Sequence, residues 1–140
     1  MAESDSILSR SSGLVPINGL AMMLWAAEPE KPELLATPFF HAAAAAAMDI
    51  QVEIYFTARS VLLLQPGVAA GLRASTHHPK TVEQALQEAV GHGAVLLACA
   101  DALVAQGLRL EALIPECRRL GGAVQFVGRT LDPAWRSLVF

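Results

Sequence analysis

The chain has 140 residues, enough for one domain with a sizeable core. It is 54% hydrophobic and only 16% charged, against about 25% charged in a typical soluble domain. A net charge of −3 without any basic run argues against nucleic acid as a partner. The most apolar stretches, 14–27 and 39–48, are interrupted by Pro16, Asn18 and Gly19 or are too short. Neither reaches the roughly 18 to 20 apolar residues that a bilayer span requires. The expectation is therefore no membrane span but a homo-oligomer that hides apolar surface.

Residues 1–10 include acidic side chains and no apolar core, so a secretory signal is not expected. Residues 1–13 read as a flexible leader and 14–140 as a single domain. The first strand is predicted over 19–26, ending in a loop with Glu28, Pro29, Glu30 and Pro32. A helix follows to about Met48, with Thr37 and Pro38 suited to its cap and first position. Its alanines 42–47 are strong helix formers, and no Asp, Glu, Lys or Arg lies between Glu33 and Asp49. That helix is expected to be buried on more than one side. Residues 52–57 form a β-branched, aromatic second strand, and 59–64 a helical turn closed by Pro66 and Gly67. After a loop holding His77 and His78, Thr81 and Gln84 make a capping box for a helix to about Val90.

A third strand, 94–98, is a continuous apolar run of the buried parallel kind. A short helix then begins near Asp101 and ends at Gly107. Residues 110–120 have helical character, broken by Pro115. Gly121 and Gly122 read as a turn, not a phosphate loop, before a fourth strand at 123–127 and a short fifth at 137–140. Strands alternating with helices imply an α/β fold with a mostly parallel sheet of about five strands and helices on both faces. Chemistry in such sheets gathers beyond the carboxyl ends of the strands. That rule selects the Glu28 loop, 57–59, Cys99 and 128–130, with His77 and His78 as further candidates.

Cys99 ends a strand and precedes a helix, so helix-terminal amides would point at its sulfur and favour the nucleophilic thiolate. Against this stands inert burial, the common fate of a free cysteine. Cys117 is assigned to packing. Two cysteines without a CxxC pair suit a reducing cytoplasm and give neither a zinc knuckle nor a dithiol motif. Arg59 and Arg129 are candidates for steadying an anionic sulfur or a partner's carboxylate; solvated surface roles are the alternative. His77 and His78 are candidate base or substrate-binding residues, with no metal-ligand spacing to support them. His41 is expected to be partly buried and His92 to end a helix. No GxGxxG, Walker A, HExxH or GxSxG pattern occurs, and no cofactor is expected.

The segments VEIYFTARSVLLL, PKTVEQALQEAVGHG, AVLLACADALVAQGLRLEALIP and GGAVQFVGRTL resemble, in order and spacing, the DsrE/DsrF-like family. Its TusD- and YchN-type members, and a branch called peroxiredoxin-like, are the nearest in character. The resemblance covers about residues 20–131. It implies a three-layer α/β/α fold, trimers or hexamers, and a cytoplasmic sulfur carrier or sulfurtransferase with donor and acceptor proteins as partners. The family's persulfide-bearing cysteine falls on Cys99. A non-catalytic assembly subunit and a small-ligand-binding subunit of the same fold are the rival readings.

Overall fold

A computed structural model of the chain describes residues 15–140; the leader expected over 1–13 lies outside the described residues. The elements in chain order are β1 (Gly19–Leu24), α1 (Ala36–Ala47), β2 (Gln51–Phe56), α2 (Val82–Gly91), β3 (Val95–Ala98), α3 (Ala100–Ala105), β4 (Cys117–Leu120), α4 (Ala123–Leu131) and β5 (Trp135–Val139). All strand pairings are parallel, in the order β4-β3-β2-β1-β5.

Strand alternation divides the core into two layers. Met22, Leu24, Val52, Ile54, Phe56, Leu96 and Ala98 form one cluster with buried residues of α1, α2 and a 3-10 turn, Ala58–Leu64. Ala21, Tyr55 and Leu97 cluster instead with Phe126 of α4 and with Trp135. The topology explains the asymmetry. Chain connections step from β1 to β4 in spatial order, and α4 then carries the chain from one edge of the sheet to the other. No helix among the described residues is long and apolar enough to cross a membrane.

Three expectations need correction. Residues 123–127 are the start of helix α4, not a strand, and the fourth strand is Cys117–Leu120, inside the stretch expected to be helical. Val124 and Val127 face outward while Phe126 and Arg129 face the sheet, which is helical spacing. Second, α1 buries one face only: Pro38, Phe39, Ala42 and Ala46 are buried while Phe40, Ala44 and Ala47 are exposed. Alanine is small enough to stand in water at little cost, so the lack of charge did not require all-round burial. Third, His41 is exposed, its Nδ1 2.8 Å from the Thr37 carbonyl oxygen. The Thr81 capping box and the C-terminal place of His92 stand as expected.

Candidate functional site

Cys99 follows the last residue of β3 and caps α3, with φ −72° and ψ 123°. Its N–H donates to the Phe56 carbonyl at 2.9 Å, which ties the turn to the end of β2. The sulfur-bearing residue is half-buried. It lines an open hollow of ≈ 530 Å³ together with Asp101, Leu120, Gly121, Gly122, Val124 and Gln125. A narrower recess of ≈ 130 Å³ continues from Cys99 past Met23, Tyr55 and Thr57. A more closed cleft, lined by Ala26, Ala27, Glu33, Leu34, Thr37 and Phe140, holds no cysteine; the hollow beside Cys99 is therefore the candidate site.

The opposite wall is the corner between β4 and α4. Gly121 donates its N–H to the Ala98 carbonyl at 3.0 Å. A Cβ built there would stand 2.9 Å from Leu97 Cβ, so only glycine lets this corner approach β3 so closely. The first helical hydrogen bond of α4 runs from Phe126 N–H to Gly122 carbonyl at 3.0 Å. The amides of Ala123, Val124 and Gln125 precede it and lie at the hollow's rim, where the helix dipole is positive. Besides Cys99, the titratable side chains among the residues lining the two hollows are Asp101 in the wider one and Tyr55 in the recess.

Of the residues singled out from the sequence, only Cys99 and Thr57 line these hollows. Arg59 sits beyond the end of β2 but pairs with Glu30, and its Nε lies 3.7 Å from Glu28. Both carboxylates come from the loop after β1. Residues 128–130 are not at the carboxyl edge, because α4 runs back beneath the sheet. Arg129 there donates to Glu53 on β2, Nε at 2.9 Å and a terminal nitrogen at 2.8 Å. His78 belongs to the far layer, its ring stacked on Phe40 of α1 at 5.5 Å; His77 is exposed beside it. Neither lines the Cys99 hollow. Cys117 is buried in β4, and burial pushes its thiol above its ordinary pKa. Sequence reasoning missed Tyr55, Gly121 and the first turn of α4 as walls of the site. The Gly-Gly pair was visible, but the element after it was misread. Among the described residues no cluster of three His, Cys, Asp or Glu could hold a metal ion.

A five-stranded parallel sheet with helices on both faces, and a half-buried cysteine after β3, the strand next to the β4 edge, defines an α/β protein with a free thiol beside an open hollow. The profile of the DsrE/DsrF-like family matches residues 21–140, and the chain belongs to that family. Two solved structures share the fold. The YchN protein of E. coli has a TM-score of 0.63 and 18% identity, over 87% of this chain and 99% of that one. MTH1491 of Methanobacterium thermoautotrophicum, a protein of unknown function, has 0.60 and 16%, over 86% and 96%. No curated protein matches.

Proposed function

We propose that this chain is a sulfur carrier that accepts and passes sulfur as a persulfide on Cys99, in keeping with a family generally concerned with sulfur relay. The supporting observation is the half-buried Cys99 just after β3, packed against the core on one side and lining an open hollow that has a helix terminus on its far wall. The Cys99 thiolate attacks the outer sulfur of a donor persulfide, R–S–SH. A new S–S bond forms to Cys99, the old one breaks with its electron pair on the donor sulfur, and the donor leaves as R–S⁻. The step is redox-neutral and needs no cofactor. Positive helix-end dipole at Ala123 to Gln125 suits a sulfur anion in the hollow. Delivery to an acceptor thiol reverses the same exchange, so donor and acceptor are proteins that bring a thiol to this mouth, in a compartment that keeps thiols reduced. Leu120, Val124, Val127 and Leu131 form an exposed apolar stripe beside the hollow, which supports a homo-oligomer as the working form; a trimer or hexamer is what the family resemblance implies.

Incubation with a small persulfide donor should add about 32 Da, one sulfur atom, to the peptide holding Cys99. Cys99→Ser should abolish the adduct, and the Cys117 peptide should stay unmodified. No adduct on a Cys99 that still alkylates would overturn the proposal. It would favour the second reading, a non-catalytic assembly subunit, for which the apolar stripe is the supporting observation.

A further inference from the structure

Beneath α4 lies a polar knot, which borders the recess behind Cys99 through Tyr55 and has no part in the sulfur exchange itself. Glu53 accepts the paired hydrogen bonds from Arg129, and Tyr55 Oη donates to the same carboxylate at 2.6 Å. The Arg129 guanidinium lies 4.0 Å over the Trp135 ring of β5. Only 13% of the Glu53 side chain is exposed. A carboxylate so withdrawn from water needs its partners, and losing one leaves the other charge unsatisfied. Burial pushes Glu53 up, but Arg129 and Tyr55, with a smaller contribution from Gln125 in the first turn of α4, outweigh it and hold the carboxyl below its ordinary pKa.

The knot determines how α4 is held. Its one buried side chain is Phe126, which meets the Tyr55 ring edge-on at 5.2 Å. Val124 and Leu131 face solvent. Arg129 is thus the second anchor, one turn further on, and it grips β2 and β5 at once. A helix of nine residues moves nearly as a rigid rod. Its last turn is clamped by Arg129, while its first turn walls the hollow of Cys99. Tyr55 joins the two ends, since its hydroxyl binds Glu53 and its residue lines the recess behind Cys99.

We propose that Arg129, gripped by Glu53 and Tyr55, is a positioning residue for the Cys99 site, setting where the first turn of α4 stands over the sulfur. This rests on the reading of Cys99 as the reacting group. The test is the rate at which Cys99 of the full chain is alkylated by iodoacetate, an anion, relative to iodoacetamide, its neutral analogue. Peptide mass spectrometry separates Cys99 from Cys117. Correct placement of α4 favours the anion. Arg129→Met and Glu53→Gln change net charge in opposite directions, yet both should lower the ratio, by about threefold, the size of a helix-terminus effect on an anion. Arg129→Lys should fall between, and Tyr55→Phe should show a smaller drop. If Arg129→Met fails to fold, Glu53→Gln and Tyr55→Phe decide. Folded variants with the wild-type ratio, or ratios that simply follow net charge, would overturn the proposal. Wild-type protein that takes no sulfur from a persulfide would instead defeat the carrier reading and leave this ratio to be judged alone.

Discussion

Two thiols separated by 18 positions show how neighbourhood, not residue type, assigns chemistry. Cys117 is buried between its own strand and β3, its sulfur 3.8 Å from the Leu96 carbonyl oxygen. Cys99, one position past β3, is only half-buried and lines the open hollow. Glu53 makes the same point for carboxylates, and its titration sets an acid limit on the fold. Its folded pKa lies below the ordinary 4.5, so its stabilisation is present above that value and is lost as pH falls through the lower, folded one. Tyr55 is displaced upward by burial and then by Glu53, and Cys117 upward by burial. Their contributions are complete below the ordinary values of 10.0 and 9.0 and decline as pH rises beyond. Calorimetry across pH should therefore show the melting temperature dropping below about pH 4.5 and again above about pH 9. Glu53→Gln should flatten the acid limb. An acid limb of unchanged steepness in that variant would mean that the Arg129 pair does not control it.

At the level of elements, what could be read from the sequence followed burial. β1, β2 and β3 are central in the sheet, so their runs of Met, Ile, Tyr, Phe and Leu are apolar for a reason any chain would share. The capping box of α2 is a local signal with a local cause. β4 gave no such signal: it is an edge strand, and Arg118 and Arg119 stand exposed on it, where charge is favoured because it blunts the unpaired edge. The region 123–127 misleads in the opposite way, since Val124 and Val127 look β-forming but are simply uncovered. Gly121, between the two, is where the site depends on the fold. Gly121→Ala puts a Cβ against Leu97, with contacts of 2.9 and 3.2 Å, and should cost about 1–3 kcal/mol by overpacking. Gly122→Ala meets nothing within 4 Å and should be nearly neutral. Chemical denaturation of the pair checks this; equal midpoints would show that the corner has room.

Over the whole molecule, the place of Cys99 was legible because a buried strand running into a helix is a sequence pattern, whereas Arg129 was a candidate from the sequence but its partners were not legible. Its partners, 76 residues away on β2 and across the sheet on β5, meet only when α4 crosses beneath it. The same helix also carries apolar surface that the single chain leaves uncovered. Val124, Val127 and Leu131 stand at helical spacing on the outer face of α4, 90%, 49% and 78% exposed, with Leu120 beside them. Val124 and Leu120 also line the Cys99 hollow, so a protomer seated on this stripe would close over the mouth and restrict which thiols reach it. Val124→Asp and Leu131→Asp place a charge where the isolated subunit has water, so they should leave folding nearly untouched but make the stripe costly to bury. Light scattering behind size exclusion should find the wild type as a multiple of 14.8 kDa and both variants shifted towards the single chain. Persulfide loading of the dissociated variants should become less selective between small and protein donors, because the neighbour no longer narrows the approach. A wild type that elutes as one chain, or variants that assemble as it does, would move the interface elsewhere and leave the hollow open on every side.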